Sequence, residues 1–527
     1  MPHIESTGRR PARRVRLRRR APAAWRLGAL AALWLAGCAV GPDFKTPDAP
    51  AAAAAGNDYT PTPVPAQSAS APGAAGASQT LALGRDIPAQ WWSLFHSEAL
   101  DQLIRAALEQ SPNLAAAQAA LRNAQEVFNA QSGALRYPNV GAQVAAERER
   151  STNPAGPGLA TYNLFNAGVS VSYSVDLFGA NRRTLEGLAA TVDYQSFQIE
   201  ATYLTLVSNL VTTAIREASL RAQLQATRDV LALQEKQLTV VQSQFDAGAV
   251  ARSALLTQQT QVAQTRATLP PLEKSLAQTR HQLSVFAGKL PSELGVPEFQ
   301  LESLSLPEEL PVTLPSALVR QRPDIRASEA LLHQASAQIG VATANQYPQL
   351  NLTGTFGNAA FQASDLFGAN TLVWTAAASL TQPIFNGGAL SAKKRAAEAA
   401  YDQAQANYRG TVLVAFQNVA DALRAIEIDA TALRTQAEAE SLAHRLLDLS
   451  TRQYQLGAIS FLALLDTQRT YQQTRIALVQ AQAARYADTA ALFQALGGGW
   501  WNRPALADAS QPGTAATTPT PALAPGR

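Results

Sequence analysis

The chain has 527 residues, of which 16% are charged and 47% are apolar, so it is long enough for two or three domains. Its formal net charge is +4, but residues 1–37 hold nine arginines and one glutamate, a net +8, which leaves −4 for the rest of the chain. The basic charge therefore lies in a segment with the character of a removable signal, and nucleic acid is excluded as a partner.

The first 37 residues have the order of a secretory signal peptide. After the arginines comes the apolar run 27–35, which is shorter than the roughly 20 residues that a transmembrane helix needs. The run leads through Ala36 and Gly37 into Cys38, the only cysteine of the chain. This resembles the bacterial lipobox, in which the cysteine is diacylated before cleavage. We therefore predict an N-acyl and S-diacylglycerol lipid on Cys38, rather than a free buried thiol, and no other cofactor.

Two segments are dominated by small residues and proline. Residues 38–89 are predicted to be a lipid-anchored tether, and residues 502–527 a disordered tail, because such compositions bury few apolar side chains. Ordered structure is accordingly expected between about residues 90 and 501.

The chain between these limits repeats itself. Tyr137 recurs as Tyr347, 210 residues on, and Gly248 recurs as Gly457, 209 residues on. A period this long indicates duplication of a whole unit. The two predicted repeats, each a helix, a strand pair and a long helical hairpin, are residues 90–310 and 311–501.

Each half begins with a helix that starts at a proline, at Pro112 and at Pro323, since proline suits the first helical turn. Four segments then alternate between apolar and small or polar residues, as half-buried strands do. Four strands are too few to close even a small barrel, so several chains must contribute. The predicted strands are residues 140–146, 165–175, 350–356 and 372–380.

A long proline-free stretch follows each strand pair, at residues 181–269 and 384–503. If residues 182–245 form one helix, its 64 residues measure about 96 Å. We expect the helices to reverse at Gly248 and Gly457. Coiled-coil spacing predicts a first buried seam at Leu220, Leu224, Thr227, Leu231, Gln234, Leu238, Val241 and Phe245, and a second at Leu442, Leu446, Leu449, Gln453 and Leu456.

Catalytic chemistry has no candidate residues. The five histidines are dispersed without metal-ligand spacing, and the sequence has no phosphate-binding loop or nucleophile elbow. The acidic pair at Glu308 and Glu309 is interpreted as part of a solvated loop. The chain is therefore predicted not to be an enzyme.

The ordered motifs of the chain resemble those of the outer membrane factors of tripartite efflux systems, the TolC-like ducts, and in particular their NodT-type lipoprotein branch. The resemblance covers nearly all of the mature chain. It is carried by Cys38-Ala39-Val40-Gly41-Pro42-Asp43-Phe44, Trp91-Trp92, Phe95, Arg322-Pro323-Asp324-Ile325-Arg326-Ala327, Gln382-Pro383-Ile384-Phe385-Asn386-Gly387-Gly388, Leu464-Leu465-Asp466-Thr467-Gln468-Arg469 and Ala495-Leu496-Gly497-Gly498-Gly499-Trp500.

The resemblance implies an α+β membrane protein. In that fold class, a trimeric 12-stranded β-barrel with four strands per chain is continued by a long α-helical periplasmic coiled-coil barrel, built from two tandem structural repeats. The implied location is the outer membrane, with a lipid anchor and an extension into the periplasm. The implied partners are two further copies in a homotrimer, a periplasmic adaptor (membrane fusion) protein, an inner-membrane RND pump and outer-membrane lipid. The implied function is passive conduction of substrates to the exterior through a gated tunnel.

The resemblance also assigns site residues. The periplasmic gate comprises Tyr454, Leu462, Asp466 and Arg469. The adaptor-docking tip comprises Gly248, Ala249, Val250, Gly457, Ala458 and Ile459. Members of the family often carry a Leu-Asp pair after the first tip glycine. This sequence departs from that pattern, since Gly248 is followed by Ala249 and Val250.

Two other functions share parts of this pattern. The outer-membrane duct of a type I protein secretion system has the same fold, and neighbouring genes would separate the two. A periplasmic adaptor is also lipid-anchored and also has a long hairpin. It would show one hairpin beside a lipoyl-like unit, whereas this chain has two hairpins and porin-like strands.

Overall fold

A computed structural model describes residues 39–48, 59–152, 156–293 and 295–503. The predicted signal peptide and Cys38 lie outside these residues, as does most of the predicted tail. The chain divides into two compact units. The sheet unit contains Gln131–Glu186, Ala337–Ala397 and the described residues up to Asp43, and the helical unit contains Phe44–Ala130, Gly187–Ser336 and the residues from Glu398 onward.

The elements follow the predicted order, with additions. The helices are α1 Glu98–Gln110, α2 Pro112–Arg136, α3 Ala180–Asp246, α4 Arg252–Ala267, α5 Leu269–Phe286, α6 Pro315–Gln321, α7 Pro323–Ala344, α8 Ala389–Gln455 and α9 Phe461–Ala495. The strands are β1 Thr80–Leu83, β2 Asn139–Thr152, β3 Leu159–Val175, β4 Glu309–Val312, β5 Gln349–Ala360 and β6 Leu372–Thr381. Short 3₁₀ turns occur at Trp91–Phe95, Leu301–Ser303, Ala363–Asp365 and Trp500–Asn502.

The four predicted strands form one antiparallel sheet in the order β2-β3-β5-β6. The centre of the sheet is the pairing of β3 with β5, in which Gly168 lies opposite Gly357. Strands β2 and β6 each pair on one side only, so both edges of the sheet present unpaired backbone groups.

The strand register sorts the side chains onto an apolar and a polar face, because successive residues of a strand point to opposite sides. Val144, Phe356 and Trp374 on the apolar face are 82%, 61% and 70% exposed in the single chain. The apolar face holds Val140, Ala142, Val144, Ala146, Phe165, Val169, Val171, Tyr173, Val175, Leu350, Leu352, Phe356, Leu372, Trp374 and Leu380. The polar face holds Gln143, Asn166, Ser170, Ser172, Ser174, Asn351, Thr353, Thr355, Thr375 and Ser379.

The two longest helices, α3 and α8, have 67 residues each, about 100 Å at the usual rise per residue. The first predicted seam is confirmed, because all of its members on α3 are buried or half-buried. The second predicted seam is wrong for the single chain. Leu442, Leu446 and Leu449 are about half exposed, and the stripe buried instead includes Ala443 and Leu447. Spacing alone does not decide which stripe of a helix faces its own chain.

The returning helices of the two hairpins differ. The second hairpin returns through one continuous helix, α9, of 35 residues. The first returns through α4 and α5, with a break at Thr268. Pro270 and Pro271 explain this break, since proline lacks the backbone N–H of a helix interior but is tolerated in a first turn.

The predicted tether is wrong over residues 59–89, which pack onto the helical unit. Strand β1 pairs in parallel with β4, and Ile87 is fully buried. The Tyr59 hydroxyl donates to the carbonyl of Thr313 at 2.8 Å. The buried Arg485 donates to the side-chain oxygen of Gln79 at 2.9 Å. Composition did not show this because the partners in the helical unit, such as Thr313 and Arg485, lie more than 200 residues away.

No helix among the described residues combines the length and apolar character needed to cross a membrane.

Candidate functional site

The helical hairpins reverse at the two predicted glycines, with matching geometry. Gly248 and Gly457 have φ of 73° and 72°, the left-handed region that suits glycine. The Gly457 N–H donates to the carbonyl of Tyr454 and the Ala458 N–H to that of Gln453, at 3.0 and 2.8 Å. The Gly248 turn repeats both bonds, at 2.9 and 2.8 Å. These paired bonds are a Schellman cap, which ends both helices in the same way.

The turn residues themselves are open to solvent. An added Cβ at Gly248 or at Gly457 would have no heavy atom within 4 Å. Ala249 and Ala458 are exposed, while Val250 and Ile459 are half-buried. The six predicted tip residues therefore form two small turns, in which the only larger side chains, those of Val250 and Ile459, are half-buried.

Three of the four predicted gate residues share one face of α9. Leu462, Asp466 and Arg469 follow a spacing of four and three residues, which places them along one stripe of a helix. All three are exposed, while Leu465 and Gln468 beside them are buried. The part of the chain that the structure describes shows no ion pair between Asp466 and Arg469. The stripe thus presents an apolar residue, a carboxylate and a guanidinium, each free to meet another surface.

The fourth gate residue, Tyr454, lies elsewhere, in the last turn of α8. Its hydroxyl hydrogen-bonds to the side-chain oxygen of Gln244, at 2.8 Å, and its ring lies 5.7 Å from that of Phe461. Burial raises the pKa of the Tyr454 hydroxyl, and the bond to Gln244 partly offsets this. Tyr454 therefore ties the second hairpin to the first instead of lining the exposed stripe. Its partner Gln244, 210 residues away, is not identified by any local pattern in the sequence.

The first hairpin carries no charge at the matching positions. Counting back 209 residues from Leu462, Asp466 and Arg469 leads to Ser253, Thr257 and Thr260 on α4, which are likewise exposed. Both hairpins thus present a corresponding stripe, charged in the second and uncharged in the first. This agrees with the departure from the family pattern after Gly248.

A layer of buried glutamines lies between the same helices and was not predicted as part of the site. Gln234 and Gln258 are fully buried, and Gln468 is 7% exposed. The Gln258 amide donates to the carbonyl of Gln234 at 2.8 Å. Gln234 was visible in the sequence as a polar member of the first seam. Polar residues at such positions weaken a helical interface relative to leucine, so this end of the hairpins is held less firmly than an apolar core.

In the sheet unit, the residues that follow Cys38 are fastened to the start of α3. The Val40 N–H donates to the carbonyl of Phe178 at 3.1 Å. The side chain of Arg183, only 6% exposed, forms an ion pair with Asp43 at 2.6 Å. Gly41 approaches Gly340 so closely that an added Cβ would lie 2.5 Å from the Gly340 Cα. The described residues nearest to the predicted lipid site therefore have a defined position.

A cluster of titratable groups, Asp429 on α8 with Arg485 and Asp488 on α9, joins these two helices. Burial and a hydrogen bond with Asp429 raise the pKa of Asp488 to about 8. Burial lowers the pKa of the neighbouring Arg485, whose guanidinium also donates to the carbonyl of Ala77 at 3.1 Å. This cluster fastens the segment before β1 to the helices. Among the described residues, no group of three His, Cys, Asp or Glu side chains could hold a metal ion.

Comparison with known proteins gives consistent matches. The profile of the outer membrane efflux protein family matches residues 103–289 and 314–498. The pyoverdine export outer membrane protein OpmQ of Pseudomonas aeruginosa is 34% identical over 78% of this chain and 87% of its own. The cation efflux system protein CusC of Escherichia coli O6:H1 is 30% identical over 89% of this chain and 97% of its own.

The solved structure of the outer-membrane channel OprN superimposes with a TM-score of 0.78, at 26% identity, over 88% of this chain and all of that channel. The resemblance therefore extends over the full length of a known channel protomer.

Proposed function

This chain belongs to the outer membrane efflux protein family, and from that premise we propose that it is the outer-membrane channel of a tripartite, RND-type efflux system. The observation that carries the proposal is the combination of a two-faced sheet with two 67-residue helices in one chain. The relatives at 30% identity or more are named for export and efflux, which favours efflux over the protein-secretion alternative.

Assembly into a trimer is proposed from the open surfaces of the single chain. The sheet has two unpaired edges, β2 and β6, and an edge without a partner is unstable in a membrane, where water cannot satisfy its backbone groups. Three copies would pair these edges and give a closed barrel of about twelve strands. The exposed leucines of the second predicted seam, including Leu442 and Leu449, would then face a neighbouring copy.

In that barrel the apolar face contacts lipid and the polar face lines the pore. In the middle of the sheet the pore side chains are short, such as Ser170, Ser172 and Thr353, and the hydroxyls of Thr355 and Thr375 are in contact there at 2.6 Å. Short hydroxyls bind solutes weakly. The sheet unit therefore acts as a passive conduit, and selection of the substrate falls to the adaptor and the inner-membrane pump.

The two glycine turns are proposed as the adaptor-docking tip. Their lack of bulky side chains leaves room for the hairpin of a partner protein, and both turns are capped identically. Ala249→Cys and Ala458→Cys are expected to crosslink to the periplasmic adaptor in cells, whereas Ala392→Cys, an exposed position of the sheet unit, is not. Crosslinks from Ala392 alone would contradict the assignment.

Asp466 is proposed to make the tunnel entrance narrow and cation-selective. It lies nine residues beyond Gly457 and five residues, roughly 8 Å, beyond the first residue of α9. Three-fold assembly turns one carboxylate into a ring of three, whose field favours cations in a narrow mouth. In planar bilayers, Asp466→Ala is expected to reduce cation preference severalfold and to raise conductance, further so when combined with Tyr454→Phe, which loosens the tie to Gln244.

Thr257→Ala is the matched control for the gate, since Thr257 occupies the corresponding exposed position of the first hairpin. It should leave conductance and ion preference unchanged. Native values in both Asp466 variants would exclude Asp466 from the gate. A native protein that forms no pores would instead overturn the proposed channel function.

We further propose that Cys38 carries the lipid anchor at the outer membrane. The contacts of Val40 and Asp43 support this, since they hold the adjoining residues at the start of α3 and so bring the acyl chains close to the sheet unit. Intact-mass measurement is expected to show a chain that begins at a lipid-modified Cys38. A mature N-terminus upstream of Cys38, or one without lipid, would contradict it.

A further inference from the structure

Near the end of β2 that joins β3, the acidic and the basic side chains lie on opposite faces of the sheet. Glu149 lies opposite Tyr162 in the register, and the Tyr162 hydroxyl donates to the Glu149 carboxylate at 3.4 Å. The same hydroxyl lies 2.9 Å from that of Ser151. Glu149, Ser151 and Tyr162 are thus on one face, and the strand period places Glu147 there too. This is the polar, pore-lining face of the sheet.

The intervening arginines, Arg148 and Arg150, therefore point to the opposite face. That face is the apolar one, because Val144 and Ala146 precede them at the same two-residue period. Both arginines are exposed, and within the described residues neither guanidinium has a hydrogen-bonding or ion-pair partner. An acidic neighbour stands next to each in sequence, yet it points to the other side of the sheet.

The position of Arg148 and Arg150 relative to the apolar band of the sheet follows from the register of β2 with β3. On this face of β3 the unbroken run of apolar residues extends from Val175 to Phe165, ten steps or about 33 Å along the strand. For a strand tilted by about 40° this is about 25 Å across a membrane. This matches the usual apolar band of an outer-membrane barrel. Arg148 lies opposite Asn163, two residues or about 7 Å beyond the end of that band.

The side of the membrane follows from connectivity within the sheet unit. Helices α2, α3, α7 and α8 all join the strands at one end, and the connections from β2 to β3 and from β5 to β6 lie at the other end. Since the helices lie in the periplasm under the proposed function, the arginine end faces the exterior. Arg148 and Arg150 are then level with the headgroups of the outer leaflet.

We propose that Arg148 and Arg150 bind the phosphate groups of the phosphorylated glycolipid that forms the outer leaflet. A guanidinium matches phosphate with two parallel hydrogen bonds, and it is costly in hydrocarbon but favourable at an anionic interface. Three copies would carry six such arginines around the barrel. The proposal rests on the proposed function, because it requires the apolar face to contact the membrane.

The test compares two charge-neutralised chains of equal size, Arg148→Gln with Arg150→Gln, and Glu147→Gln with Glu149→Gln as the matched control on the opposite face. Glycolipid that remains bound to the detergent-purified protein is measured by mass spectrometry. Each arginine at an anionic surface contributes about fivefold in affinity, so we expect roughly 30-fold weaker retention in the arginine variant and native retention in the control. Equal retention in both variants would overturn the proposal.

A second measurement separates the lipid from free phosphate. Purified lipid A should raise the melting temperature of the native protein and of the glutamate control, but not of the arginine variant, and inorganic phosphate should raise none of them. Stabilisation by inorganic phosphate would reject a lipid site in favour of a simple anion site. Pore formation by the arginine variant in glycolipid-free bilayers shows that the channel itself is intact, whereas absence of pores in the native protein would refute the channel function.

Discussion

Glu217→Ala is expected to destabilise the helical unit by about 3 kcal/mol, because it removes a fully buried carboxylate and leaves its partners unpaired. The Glu217 carboxylate on α3 forms ion pairs with Arg221 at 2.5 Å and Arg280 at 3.1 Å. It also accepts the backbone N–H of Phe299 at 3.0 Å. One side chain thereby holds α5 and the following loop against α3, and urea unfolding of the detergent-solubilised chain would measure the loss.

Glu298→Ala is the matched control, since Glu298 pairs with the same two arginines but its side chain is 64% exposed. Its removal is expected to cost less than about 1 kcal/mol, as water replaces an exposed partner. Equal losses from Glu217→Ala and Glu298→Ala would show that burial of the carboxylate does not matter. A conservative Glu217→Gln change should fall between them, because the amide still accepts the Phe299 N–H.

Gly357→Ala is expected to prevent correct pairing of β3 with β5. A Cβ at Gly357 would lie 2.4 Å from the carbonyl oxygen of Ala167 and 2.5 Å from the Cα of Gly168, both backbone atoms that cannot rotate away. Overpacking of this kind costs at least about 1–3 kcal/mol, and the strain falls on the central pairing of the sheet. The amount of heat-resistant oligomer in outer-membrane fractions should drop severalfold.

Gly354→Ala, three residues earlier on the same strand, is the control for this change. A Cβ there would meet its nearest atom, the carbonyl oxygen of Thr375, at 3.7 Å, which is ordinary contact. Gly354→Ala should therefore assemble as the native chain does. Normal assembly of Gly357→Ala would show that β3 and β5 can separate without loss of the sheet.

Much of the architecture was predictable because its signals are local. Prolines at the start of α2 and α7 suit a first helical turn, alternation identifies each strand, and glycine tolerates the left-handed conformation that ends α3 and α8. Each signal is contained within a few neighbouring residues, so it can be recognised in the sequence without knowledge of the fold. The family resemblance then added the expectation that Asp466 and Arg469 belong to a gate, which no local rule assigns.

Several features depend on residues far apart in the chain. Composition predicted a tether at residues 38–89, but within it Gln79 is buried and accepts a hydrogen bond from Arg485, 406 residues away. Helical spacing predicted that Leu442 belongs to a buried seam, but in the single chain Ala443 is buried and Leu442 is exposed. The Tyr454 hydroxyl donates a hydrogen bond to Gln244, 210 residues away in the chain. A helix or small-residue segment can pack in several ways, and only the partner surface selects one.

What the sequence by itself determined is the set of elements, their order and the alternation of each strand, since these follow from backbone preference and the period of apolar residues. Only the tertiary structure decided which face each residue serves. Glu149 and Arg150 are neighbours in sequence, but the register of β2 with β3 places Glu149 on the polar face of the sheet and Arg150 on the apolar face. Register is set by pairing between strands, and a shift of one residue would exchange the two faces.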